Sequence, residues 1–263
     1  MSPASVFITG AAAGIGRQTA LAFARRGYIV GAYDVDETGV QALAEEIVGS
    51  GGRAISGRLD VRDADAFAEA IKQFAVEAGG LTILINNAGV LIGGSFVEHT
   101  AADYQRMVDI NVSGVINGCL AAYDELRATP GATVINLCSA SAIYGQAELA
   151  VYSATKFAVR GLTEAIELEW APQGIRVRAI WPLFVRTAMT RDLATGTVST
   201  LGIRLTADDV VEQILAACTP STSDRLLHRV HYAVGRQAHL AAAGARFSPA
   251  WLTRAVNKRL ARH

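Results

Sequence analysis

Thr9-Gly10-Ala11-Ala12-Ala13-Gly14-Ile15-Gly16 follows the β-branched run Val6 to Thr9 and leads into Ile15 to Arg26, where apolar residues recur at helical spacing. A strand, a glycine turn and a helix start therefore meet within eight residues. Glycine permits the tight turn and lets a ligand approach the backbone, while the helix start offers free N–H groups and a positive dipole to a pyrophosphate. The competing reading is an ordinary strand-to-helix turn whose small residues serve packing.

Outward from this turn the same alternation repeats. Strands are predicted at Ile29 to Tyr33, Arg53 to Gly57, Leu81 to Asn86, Thr133 to Leu137, Arg176 to Ile180 and Arg229 to Val234. Helices are predicted at Thr38 to Val48, Ala64 to Ala78, Asp103 to Arg127, Val151 to Ala171 and Ala207 to Ala217. Strands alternating with helices predict one doubly wound α/β domain of the Rossmann type. Its mostly parallel sheet would have seven strands, helices on both faces, and a ligand beyond the carboxyl ends of the strands. The chain holds no Gly/Ser or Pro-rich linker and no internal repeat, so the domain is expected over 1–234, with 235–263 as an extension.

The 24 basic residues balance the 24 acidic ones, which removes the electrostatic case for nucleic acid. The balance is uneven along the chain. Residues 1–224 carry 16 Lys and Arg against 24 Asp and Glu, whereas 225–263 carry eight basic residues and no acid. The first residues lack a basic segment followed by a long apolar one, and no apolar run is long enough to span a bilayer, so a cytoplasmic setting is expected. Cys119, Cys138 and Cys218 are scattered among apolar residues and read as buried, reduced thiols. The five histidines suggest no metal site; His228 and His231, if on one strand, would point to opposite faces.

Two further sets bear on chemistry. Asp34 closes the second strand 18 residues after Gly16, where its carboxylate can accept hydrogen bonds from an adenosine ribose and would repel a 2′-phosphate. Ala13 and Val35 supply no cation there, which favours NAD over NADP, with Arg17 as the residue that could reverse the preference. Tyr152 and Lys156 stand four apart on a predicted helix and so share a face, where an ammonium beside the phenol would lower the phenol's pKa toward a general acid/base range.

These pieces, in order, resemble the short-chain dehydrogenase/reductase family over residues 5 to 190: the Thr9 to Gly16 loop, Asp60-Val61, Asn86-Asn87-Ala88-Gly89, Asn111, and Ser139 thirteen residues before Tyr152. The resemblance implies an oxidoreductase with Asn111, Ser139, Tyr152 and Lys156 as its catalytic set. Tyr152 would exchange a proton with a carbonyl or hydroxyl oxygen, Ser139 would orient that oxygen, Lys156 would hold a nicotinamide ribose, and Asn111 would keep a water against Lys156. It also implies an NAD site at Gly10, Gly14, Ile15, Gly16, Asp34, Asp60, Val61, Asn87, Ala88 and Gly89, with Tyr152, Lys156, Pro182, Val185 and Thr187. A homodimer or homotetramer built on the two longest helices is implied as well.

The chain departs from the family at Leu183, where Trp181-Pro182-Leu183 replaces the usual Pro-Gly. Either this side chain enters the nicotinamide end of the site or it packs into the core. A mobile cover is expected over Thr187 to Leu205. Ser141, Ile143, Tyr144, Leu149, Leu183, Phe184 and Met189, with Leu91, Ile92, Phe96 and Leu193 around them, are the expected pocket walls. Such walls suit a lipophilic secondary alcohol or ketone, a hydroxysteroid among them. Arg186 and Arg191 leave a 3-oxoacyl thioester as an alternative, and a non-catalytic nucleotide-binding regulator is another. In the extension, Ser248 and Pro249 can start a helix in which Leu252, Val256 and Leu260 oppose Arg254, Lys258 and Arg262. Docking on the body or a neighbouring subunit is preferred over contact with a membrane surface.

Overall fold

The structure is a computed structural model and describes residues 4–191, 193 and 195–261. Seven strands form one all-parallel sheet: β1 (Ser5–Thr9), β2 (Ile29–Asp34), β3 (Arg53–Arg58), β4 (Ile83–Asn86), β5 (Thr133–Leu137), β6 (Arg176–Pro182) and β7 (His231–Val234). Their order, β3-β2-β1-β4-β5-β6-β7, reverses direction between β1 and β4. At that switch the connections leave for opposite faces, which opens a crevice beyond the strand ends. The doubly wound α/β expectation is met in class and in strand number.

Period-two alternation along β1 divides the core. Val6 and Ile8 face a layer made by α1 (Gly14–Ala24), α2 (Glu37–Gly49) and α8 (Ala207–Cys218). Phe7 points the other way, into α3 (Ala64–Ala78), α5 (Gly114–Arg127) and α6 (Ala150–Trp170). Phe7 stacks on Tyr33 with ring centroids 4.2 Å apart and meets Phe67 and Phe74 of α3. Cys119, Cys138 and Cys218 are all buried and unpaired with one another; burial pushes the Cys119 and Cys218 thiols up to about 12 and Cys138 to about 11.

The expected helix Asp103 to Arg127 is interrupted. It consists of α4 (Ala101–Val108), one wide π turn over Asp109–Ser113, and then α5. The π turn holds Asn111, and its cause is visible there: the side chain is pulled inward to bond both backbone groups of Val90, accepting from N and donating to O, each at 2.8 Å. β6 runs two residues past its expected end, through Trp181 to Pro182. His228 precedes β7 in a left-handed turn and His231 begins the strand, so the two do not share it.

The expected loop-like cover carries a 3-10 turn at Ala188–Thr190 and a short helix, α7 (Gly196–Leu201). Two further helices escaped the sequence reading, α9 (Thr222–Leu226) and α10 (Gly235–Phe247), the latter buried against β7 and β6 through Ala238. The extension ends in α11 (Ala250–Ala261), which packs against α7. The side chains of Leu252, Val256 and Leu260, and residue Arg262, lie outside the described residues. Trp251, Arg254 and Lys258 are exposed. No helix among the described residues is long and apolar enough to cross a membrane.

Candidate active site

A cavity of about 600 Å³ opens at the switch point, beyond the carboxyl ends of β1, β2, β4, β5 and β6. Its floor is the glycine loop. Gly10 and Gly14 have φ of 67° and 54°, and a Cβ at Gly16 would stand 2.1 Å from the Gly10 carbonyl oxygen, so this turn admits no side chain there. Gly16 thus serves the packing of the loop and does not line the cavity, whereas Gly10, Gly14 and Ile15 do.

The loop is held from the side by the end of β4. The Asn87 amide donates to the carbonyls of Thr9 and Gly10, both at 2.9 Å, while the Thr9 hydroxyl accepts from the N–H groups of Asn87 and Ala88 at 3.1 Å. The Asp34 carboxylate completes the frame by accepting from Ala12 N at 3.1 Å. The starts of α2 and α3 are capped by Asp36 and Asp63, but α1 has neither a side-chain cap nor an acid in its first turn. Its uncapped donors border the cavity through Gly14 and Ile15, as a dinucleotide's pyrophosphate requires.

Asp34, Asp60, Val61, Ala88 and Gly89 line the same end, as expected. Arg62 grips Asp60 through Nε at 2.9 Å and Nη2 at 2.5 Å, and these bonds hold the Asp60 carboxyl below its ordinary range. Arg58, Arg62 and Arg106 also border it, and the sequence reading passed over all three. The signal for Arg58 was its place as the last residue of β3, in register with Asp34. Arg17 points elsewhere and pairs with Glu46 of α2.

At the other end, Ser139, Ser141, Tyr152 and Lys156 come together with Pro182, Leu183, Phe184, Val185, Thr187 and Met189. Ser139, two residues after β5, caps a tight 3-10 turn at Ala140–Ala142. Its hydroxyl accepts from Ser141 N and donates to Ser141 Oγ, each at 3.1 Å. Tyr152 and Lys156 share a face of α6, with Nζ 5.6 Å from the Tyr152 ring centre and donating to the Leu137 carbonyl at 2.9 Å. The expected lowering of the phenol pKa is not found. Burial pushes Tyr152 up to about 12, and a hydrogen bond with Ser139 opposes that rise only in part. Burial likewise lowers the pKa of Lys156.

Asn111 is buried behind the cavity. Besides Val90 it bonds Thr155 Oγ1 at 3.3 Å, and a Cβ at Gly89 would lie 3.2 Å from its Oδ1 and 3.9 Å from Lys156 Nζ. A side chain at Gly89 would therefore intrude on both the asparagine and the lysine. Leu183 does both things considered for it, since it lines the cavity and packs on the core. Three expected walls are corrected. Ile143, at the end of the 3-10 turn, turns back into the core, Tyr144 packs against that core, and Leu149, 1% exposed, is buried at the start of α6. Phe96 stacks on Tyr104 at the surface, with ring centroids 5.3 Å apart, and Ile92 and Leu193 are not part of the cavity wall either, whereas Leu91 is.

Comparison with known proteins agrees with this geometry. The profile of the short chain dehydrogenases matches residues 4–197. The chain belongs to the short-chain dehydrogenase/reductase family. It is similar to the oxidoreductase UcpA of Escherichia coli, 38% identical over 192 residues that make up 72% of each chain. The 2,5-dichloro-2,5-cyclohexadiene-1,4-diol dehydrogenase LinX of Sphingobium indicum is 38% identical over 187 residues, covering 71% of this chain and 74% of that one. The 3-oxoacyl-[acyl-carrier-protein] reductase FabG of Thermotoga maritima is 32% identical over 186 residues, 71% of this chain and 76% of the other. A short-chain type dehydrogenase/reductase from Mycobacterium marinum superposes with a TM-score of 0.79 at 29% identity, over 89% of this chain and 94% of that one. The protein is thus an oxidoreductase of a family that uses nicotinamide cofactors.

Proposed function

We propose that this dehydrogenase/reductase transfers hydride between NAD(H) and a lipophilic secondary alcohol or its ketone, with ring alcohols such as hydroxysteroids as the substrate class. The observation that carries the reading is the junction of Ser139, Tyr152 and Lys156 with an apolar wall of Val90, Leu91, Leu183, Phe184 and Met189 in one cavity. The relative named for a cyclohexadiene diol supports a ring alcohol.

NAD(H) suits the residues present. The uncapped start of α1 receives the pyrophosphate, Asp34 the adenosine ribose, Asp60 and Val61 the adenine, and Val185 and Thr187 the carboxamide. Asp34 and the diversion of Arg17 to Glu46 support NAD over NADP. When bound, the nicotinamide supplies the hydride acceptor or donor. The Ser139 hydroxyl orients the substrate oxygen and stabilises its developing charge. Tyr152 exchanges the proton with that oxygen. Its high pKa keeps it protonated at neutral pH, the form ketone reduction needs, so alcohol oxidation is expected to accelerate as pH rises. Lys156 holds the ribose, and Asn111 with bare Gly89 keeps a path for a proton-relaying water behind it.

The test is turnover of hydrophobic secondary alcohols, hydroxysteroids included, with NAD and NADP in parallel, beside a 3-oxoacyl thioester. Preference for the thioester would refute the lipophilic alcohol, and nucleotide binding without turnover would favour a regulator. Exposed Arg186 and Arg191 and the likeness to FabG are what favour the thioester. Self-association is proposed through α5 and α6, where Leu120 and Leu168 are 70% and 75% exposed; light scattering of Leu120→Glu would show a smaller particle.

A further inference from the structure

One side chain outside the reacting set ties the cover of the cavity to the segment that delivers Tyr152. Glu148 sits in the turn before α6 with a φ of 64°, and His228 is the only other non-glycine residue with positive φ among those described. That conformation disfavours an ordinary L side chain, so something in the surroundings must compensate.

Two hydrogen bonds do so. The Glu148 carbonyl accepts from Gly94 N at 2.9 Å, and its carboxylate Oε2 accepts from Gly196 N, at the start of α7, at 2.7 Å. The first reaches the segment after β4, and the second reaches the cover. Packing converges on the same place: a Cβ at Gly93 would lie 2.4 Å from Leu193 Cδ1, 3.3 Å from Leu149 Cδ2 and 3.5 Å from Thr195 Cγ2. The base of the cover is pinned independently, where Arg186 N donates to Leu205 O at 2.8 Å. The cover is therefore fastened at its base by backbone and at its far end by Glu148.

We infer that Glu148 is a positioning residue that holds the cover down over the substrate end of the cavity and thereby sets substrate affinity without touching the reacting atoms. This rests on the proposal that this end binds substrate. Trypsin can test the fastening without a known substrate, because Arg191 of the cover is exposed. In full-length protein, Glu148→Ala should speed cleavage at Arg191 about tenfold, the loss expected for one charge-assisted hydrogen bond. Glu148→Gln, whose amide oxygen can accept from the same N–H, should stay near wild type. Glu148→Gly tolerates the left-handed backbone but lacks the acceptor, so it should match Glu148→Ala in cleavage while keeping a higher Tm. With a turned-over substrate, KM should rise about tenfold in Glu148→Ala while kcat changes less and NAD affinity holds.

Wild-type cleavage rates in folded Glu148→Ala and Glu148→Gly would overturn the inference. Faster cleavage with unchanged KM would also overturn it, by showing that the held cover does not govern substrate. A wild-type protein that turns over no alcohol, but whose cover loosens in Glu148→Ala, would defeat the proposed function while leaving the fastening intact.

Discussion

At the glycine-loop end the floor of the cavity is backbone, shaped by Gly10, Gly14 and Gly16 and braced by Thr9, Asn87 and Asp34. At the lid end the walls are side chains: Leu183, Phe184 and Met189 on a segment that crosses the opening and is tied down at two points. The first kind of construction leaves little room for variation, since an added Cβ collides with main chain. The second tolerates many side chains, and each changes what fits. One cavity thus joins a half constrained by backbone packing to a half where, on the proposed reading, side chains set selectivity.

Tyr152→Phe gives the largest effect and tests where the two halves meet. Turnover should fall by about a hundredfold to ten-thousandfold with NAD affinity unchanged, measured by steady-state kinetics beside calorimetry. Near wild-type turnover would detach the chemistry from this junction. Asp34→Ala should weaken NAD about tenfold or more and narrow the gap to NADP, because Arg58 beside it would then face a 2′-phosphate unopposed. Parallel titrations with both nucleotides check this, with Tm followed because Asp34 also holds Ala12 N.

Leu183→Gly should leave nucleotide affinity alone and shift the kcat/KM ratio of large to small apolar substrates by about tenfold toward the large. A change in nucleotide affinity instead would place Leu183 in the first half and blur the division. Removing residues 248–263 should have the smallest effect: kcat within about a factor of two, and only slightly faster tryptic cleavage at Arg191. Loss of all activity would show that the extension supports both halves.

The sequence made the first half readable because its constraints are local. A glycine that must lack a Cβ and an acid at a strand end each announce themselves within a few residues, as does the Tyr152–Lys156 pair at the other end. Strand β5 and helix α3 are read to the residue for the same reason. The π turn at Asn111 is not local: its cause is Val90, twenty-one residues away. Ile143 and Leu149 look like pocket walls in sequence, but Ile143 turns into the core and Leu149 is buried near Gly93, Leu193 and Thr195, placements set by the tertiary fold. Glu148 carries no signal in the sequence, since only the fold brings Gly196 to it, and the high pKa of Tyr152 comes from a burial that helix spacing alone does not reveal.

The packing of α11 against α7 also bears on the order in which the molecule can be finished during synthesis. β1, which leads into the glycine loop, and its neighbours β2 and β4 emerge early and can pair. The cover gains its last packing from a helix made after it, so the strands at the nucleotide end can take shape on a nascent chain before the packing of the cover is complete.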